Sequence, residues 1–169
     1  MTAQSDYSEL MAIGFAGQVD PASNPQVKTM RNAEAVESME FGIAVAYQDR
    51  TADGTLADLL TATSDIVPGI LLHSYAYDST ELDAVGVVAG STLNVLRSGR
   101  VLVLAEEAVD VGDPLFVRAV AVGAELQGAL RMSADSTDCI DMTGRGQWDS
   151  VAGAGELAWL RVDFLNPVT

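Results

Sequence analysis

Few residues in this chain carry the types and spacings that chemistry needs. His73 is the only histidine, and it lies in the apolar run LLHSY, where a lone strand histidine is far more often packed or hydrogen-bonded than catalytic. Without a second histidine or a cysteine pair there is no ligand set for a transition metal. The stretch DRTADGTLADLL puts Asp49, Asp53 and Gly54 at the first, fifth and sixth places of a calcium loop. It fails where Thr51 is a weak third ligand and where Leu60 replaces the bidentate glutamate. Glu106 and Glu107 are adjacent, so a strand turns them to opposite faces and a turn leaves them solvated; neither gives a carboxylate pair. Ser98, Ser133 and Ser150 lack a nucleophile-elbow context, and neither Gly86–Gly90 nor Gly144–Gly146 reads as a phosphate cradle. No catalytic residue, cofactor site or metal site is assigned, and nothing here requires an enzyme.

The basic residues are the second feature. The chain has 24 acidic and 9 basic residues, a formal net charge of −15, and no Lys or Arg between Arg50 and Arg97. Against that background VLRSGRVLVL places Arg97 and Arg100 on either side of Ser98-Gly99, which reads as a two-residue hairpin turn. Like charges directly opposite each other repel by some tenths of a kcal/mol, so a carboxylate is expected nearby. Glu106, Glu107 or Asp110 of the same chain can supply it, or a partner can; both readings stay open.

The totals bound the class. At 169 residues and 49% hydrophobic, the chain can bury roughly 70% of the surface it exposes when unfolded, which favours one compact domain. Cys139 is the only cysteine, so no intramolecular disulfide is expected. The N-terminal stretch is a poor secretory signal, no run approaches the roughly 18 apolar residues of a membrane span, and a soluble chain made inside the cell is expected. The acidic balance argues against nucleic acid and anionic membrane as partners.

The elements that must position these residues read as strands. Apolar runs broken by Gly, Asp, Ser and Pro fall at 43–47, 69–77, 84–88, 92–97, 100–105, 115–122, 128–132 and 157–165, which predicts an all-β fold: an antiparallel β-barrel or sandwich, jelly-roll-like. Leu157–Leu165 alternates most clearly, with Ala158, Leu160, Val162 and Phe164 on one face. Arg100–Ala105 is apolar on both faces beyond its first residue, as in a central or covered strand. Residues 1–40 read as an extended N-terminal arm and 41–169 as the barrel domain. After Asn24-Pro25 a helix start and an extended arm are equally compatible with the residues, and 53–64 reads as a short helix or a covering loop.

Taken together, GFAGQVDP, MEFGIAVAY, PGILLHSY and LNVLRSGRVLVLAEEAVDVGDPLFVR resemble the cement or head-decoration proteins of tailed bacteriophages. The resemblance runs from about residue 14 to 165 and rests on turn and strand motifs, with Gly14, Gly17, Phe41, Gly42, Gly69, Ile70, Gly99, Val101, Glu106, Gly112, Asp113, Pro114 and Val117 at the matching positions. The segment 49–66 is longer than the core pattern. The resemblance implies a virion structural protein on the outer surface of the phage head, made in the host cytoplasm. It would bind the major capsid protein at capsomer junctions as a homo-oligomer, a trimer rather than a dimer, and hold the shell against DNA pressure. Under that reading Arg97 and Arg100 form one basic tip and Lys28 and Arg31 a second, meeting capsid or subunit carboxylates. Phe15 and Val19 of the arm can pack on their own barrel or extend over a neighbour; contact with a neighbour or the capsid is expected. The competing reading is a receptor- or carbohydrate-binding β-domain of a virion appendage, with Trp148, Trp159, Tyr75 and Tyr77 as stacking platforms.

Overall fold

A computed structural model describes residues 14–33, 39–48, 55–74, 87, 89–123 and 125–165. Its spine is one 13-residue strand, β5 (Thr92–Leu104). Along its first half β5 pairs with β1 (Gln26–Asn32) on one edge and β4 (Gly69–Leu71) on the other. From Ser98 onward β10 (Leu157–Asp163) takes over from β4, since Ser98 has Gln26 of β1 on one side and Asp163 of β10 on the other. The ring β1, β3 (Leu56–Asp58), β2 (Ala44–Tyr47), β4 and β5 closes, because β1 pairs with β5 as well as with β3; β9 (Gly146–Trp148) extends the sheet beyond β10. All these pairs are antiparallel except β1 with β3. A second sheet holds β7 (Leu130–Arg131), β6 (Phe116–Arg118) and β8 (Cys139–Asp141), in that order.

Two cores follow from the alternation of side chains along the strands. Met30, Val45, Ala57, Leu71, Leu93 and Val95 cluster in one. Ile70, Leu96, Val101, Val103, Leu115, Val117, Leu130, Trp148 and Leu160 form the larger one, which brings the second sheet onto the main sheet. In β10 the residues Ala158, Leu160 and Val162, and Phe164 just beyond it, are buried while Arg161 and Asp163 are exposed, as the sequence period requires.

The Ser98-Gly99 hairpin does not form. Both flanking runs find better partners in β1, β4 and β10, so the chain passes straight through. What the glycine marks instead is a β-bulge: the register against β1 steps from Gln26↔Ser98 to Val27↔Leu96, leaving Arg97 over. The face that points into the larger core changes parity there, from Leu96 to Val101 and Val103. Gly99 takes φ 138°, and a Cβ on it would lie 3.1 Å from both Pro25 Cα and Ser23 Oγ, a conformation and a closeness that favour glycine. Ser23 Oγ accepts from the Arg100 amide at 2.9 Å, satisfying the donor that the bulge displaces.

Other expectations change for local reasons. After Asn24-Pro25 the chain is extended and not helical: Gln26–Asn32 is a strand of the barrel. Before it, Pro21–Ser23 forms a single 3-10 turn capped by Asp20, whose Oδ1 accepts from the Ala22 amide at 2.9 Å. Asn24 ends that turn in the left-handed region, at φ 54°. Buried Asn32 replaces an apolar residue in β1 and donates from Nδ2 to the Val87 carbonyl at 2.8 Å. In the 53–64 segment Leu56–Asp58 is a strand, and Asp65 accepts from the Thr61 and Ala62 amides at 2.8 and 2.9 Å. Of the run at 84–88 only Val87 lies inside the described residues, bridged to Met39.

Candidate functional site

The N-terminal segment docks on its own barrel. On the β5 edge opposite β10, the Gly17 amide donates to Leu102 O at 2.8 Å, the Leu102 amide to Gln18 O at 2.8 Å and the Asp20 amide to Arg100 O at 2.9 Å. Val19 bridges Val101 and packs on the larger core. Phe15 and Phe41 flank His73, with ring centroids 4.3 and 4.6 Å from it. The motifs GFAG, EFG and LLHSY therefore meet at one joint. Phe15 and Val19, expected on a neighbour, make these contacts within the chain, because the second half of β5 has a free edge that the arm fills; Phe15 keeps 37% of its surface exposed.

Burial pushes the His73 pKa below its ordinary value. The unfolded chain then binds the proton at a higher pH than the folded one, so the joint loses stability as pH falls below about 6.5, the ordinary histidine value. Hydrogen exchange of the 14–20 amides should be faster at pH 5.5 than at pH 7.5, relative to core amides, after correction for intrinsic rates; an unchanged ratio contradicts this.

The expected basic tips are not free tips. Arg100 Nε lies 2.6 Å from Asp149 Oδ2, an ion pair rather than a directed hydrogen bond, and its Nη1 lies 3.4 Å from Asp20 Oδ2. Its guanidinium also covers the Trp159 ring, 4.6 Å from the centroid. The neutralising carboxylates are thus Asp149 and Asp20, not Glu106, Glu107 or Asp110. Arg97, the bulge residue, accepts at its carbonyl from the Phe164 amide at 2.6 Å and donates from Nη2 to the Phe164 carbonyl at 3.4 Å. Lys28 and Arg31 have opposite parity in β1, so alternation separates them: Lys28 stands over the Tyr47 ring at 5.1 Å, while Arg31 is exposed and donates to Gly90 O at 3.3 Å. Arg100→Ala should lower stability by about 1 kcal/mol and shift Trp159 fluorescence; unchanged fluorescence would show that the stack does not exist in solution.

The densest constellation joins the two ends of the EEAVDVGDPLFVR motif. Arg118, with no exposed side-chain surface, places Nη2 at 2.5 Å from Glu106 Oε1, 2.7 Å from Glu125 Oε2 and 2.9 Å from Asp135 Oδ2. Its Nε donates to Glu106 Oε1 at 2.9 Å. Arg131 adds contacts to Glu106 and Glu107 at 3.3 Å each. Glu107 Oε1 accepts from the Met132 and Ser133 amides and from Ser133 Oγ, at 2.9, 2.8 and 2.8 Å. Glu106 and Glu107 are therefore not simply solvated: both order the second sheet. Those hydrogen bonds and charges, Glu106 foremost, raise the Arg118 pKa above its already high value. A guanidinium held this way is a fixed charge with no proton to transfer.

Among the described residues no group of three or more His, Cys, Asp or Glu is placed to hold a metal ion. Trp148 is buried to 1% exposure and Trp159 lies under Arg100, so neither is an open stacking platform; Tyr75 and Tyr77 lie outside the described residues. An open cleft of about 700 Å³ lies between the β5/β10 junction and the 112–114 and 143–147 turns, lined by Arg145 and Arg161 among others.

Comparison with known proteins bears on the whole chain. The family model described as structural cement protein (E217 gp24/Pam3 gp6) matches residues 3–163. Among solved structures, a chain in "The capsid of Myoviridae Phage XM1" superposes with a TM-score of 0.71 at 18% identity, over 96% of this chain and 97% of that one. At that identity the likeness is one of fold. A chain in "The crystal structure of head fiber gp8.5 N base in bacteriophage phi29" reaches a TM-score of 0.42 at 18% identity, over 86% of this chain and 99% of that one. No curated protein matches.

Proposed function

The chain belongs to the structural cement protein family of phages, and we propose on that footing that it binds the outer surface of the mature head at capsomer junctions and stabilises the shell against internal DNA pressure. The family match over residues 3–163 carries this reading. The partner is the major capsid protein, and the protein acts as a homo-oligomer, a trimer rather than a dimer, since a shell offers many local threefold junctions. It works without catalysis, nucleic acid or membrane, in keeping with a net charge of −15. The outward side of β1, carrying Val27, Thr29 and Arg31, and the open side of Phe15 supply part of the contact surface; Val27 is 47% exposed.

A protein that binds the intact shell and not the ruptured one stabilises it by mass action, by about 2.7 kcal/mol per site at a hundred times Kd. Adding the protein to heads that lack it should raise the temperature of DNA release in a concentration-dependent, saturable way. No change at saturating protein would overturn the cement reading.

A further inference from the structure

The cation balance of this acidic surface singles out the cleft. Of nine Lys and Arg residues, Arg50 lies outside the described residues. Arg100, Arg118 and Arg131 are paired with carboxylates at 3.5 Å or less. Arg31 and Arg97 donate to carbonyls, and Lys28 stands over Tyr47. Two guanidiniums are left. Arg145 forms no ion pair among the described residues. Arg161, with 70% of its side chain exposed, reaches only Asp149, at 3.8 Å, and that carboxylate already serves Arg100. Both line the same cleft.

The register explains why they converge. Arg161 pairs with Gln147 and Val162 with Gly146 across β9 and β10, and the Asp163 amide donates to the Arg145 carbonyl at 2.7 Å. The carboxylates of the cleft are turned to turn amides: Asp113 Oδ2 accepts from the Asp110 amide at 2.8 Å and Asp163 Oδ1 from the Leu165 amide at 3.0 Å. Ser98, Thr143 and Gln147 add neutral polar groups to the lining, and its several glycines keep the walls low. Among the described residues the cleft thus brings together two guanidiniums with no carboxylate within 3.5 Å of either, and a partner's carboxylates can approach there.

We propose that the cleft receives an extended, carboxylate-bearing segment of the capsid protein, held by Arg145 and Arg161; this rests on the cement reading above. Guanidinium pairs with carboxylate in a directional, often bidentate manner, so two of them spaced along a groove fix the register of the segment as well as attract it.

The test measures binding of full-length wild-type protein, of the Arg145→Glu/Arg161→Glu variant and of the Arg145→Lys/Arg161→Lys variant to mature heads, across a salt series. The double reversal should bind about tenfold more weakly or worse and lose much of the salt dependence, while the lysine pair recovers most of the affinity. If the double reversal lowers the thermal midpoint, Arg161→Glu alone carries the test, because that side chain is largely solvated. Wild-type binding matched by the reversed variants in affinity and salt slope would overturn the cleft proposal and leave the cement role standing. A variant that keeps its affinity for heads but loses oligomeric mass would assign the cleft to a second copy of this chain, against the proposal. Absence of wild-type binding would remove the cement reading and the proposal with it.

Discussion

Replacing Arg118 by methionine should lower the unfolding free energy by about 3 kcal/mol, because it removes a fully buried cation and strands the carboxylates around it. Glu106, with 13% of its side chain exposed, loses its hydrogen bonds from Nε and Nη2; Asp135 and Glu125, at 39% and 44%, fall back on water. Most of the cost therefore comes from Glu106. That makes a second variant informative. Adding Glu106→Gln to Arg118→Met removes the stranded charge, so the double variant should be more stable than Arg118→Met alone, the sign that a broken ion pair and not lost volume is responsible. Urea unfolding at pH 7 checks both, with an unchanged slope as the condition for reading midpoints as stability. A loss below about 1 kcal/mol in the single variant, or no recovery in the double, would contradict this account of the network.

Gly17→Val should cost about 3 kcal/mol and should do so locally. Gly17 has φ 81°, and a Cβ there would lie 2.6 Å from the His73 backbone nitrogen. The chain can relieve both strains only by lifting the segment off β5, which breaks the Gly17 to Leu102 and Leu102 to Gln18 bonds and the Phe15 contact with His73. The Leu102 amide is the reporter, since its donor points to Gln18 and not to β10. Its exchange protection should fall far more than that of residues in β4. Equal loss across the barrel would mean that the docked segment and the barrel unfold together.

The sequence made the framework legible where side-chain alternation ran long enough to be read. The period of β10 and the two-sided apolarity of Val101 to Val103 both identify strands that the fold places at its centre. The bulge was not legible, because Ser98-Gly99 carries the same local signal whether the flanking runs pair with each other or with distant strands; only the long-range partners decide. β1 escaped for a related reason. Its inward residues are Met30 and Asn32, so an apolar pattern had little to register, and β3, β8 and β9 are three residues long.

The candidate site divides in the same way. GFAG, EFG and LLHSY carried the family resemblance, but that Phe15, Phe41 and His73 form one joint depends on pairings across the sheet. The EEAVDVGDPLFVR motif was visible as a string, whereas its reason, Glu106 bonded to Arg118 twelve positions on, needed the turn between them to close. The sequence marks neither Arg145 nor Arg161 as a site, since nothing local distinguishes an arginine with a carboxylate beside it from one without. Their significance emerges only after the other described cations have been matched to partners.

The central claim is tested most directly by co-sedimenting the purified protein with mature heads and with unexpanded heads of the phage that encodes it. Saturable binding to mature heads alone, at a stoichiometry that counts the occupied symmetry positions, is the predicted result. Binding to neither form, or equal binding to both, would contradict a cement that acts on the mature shell.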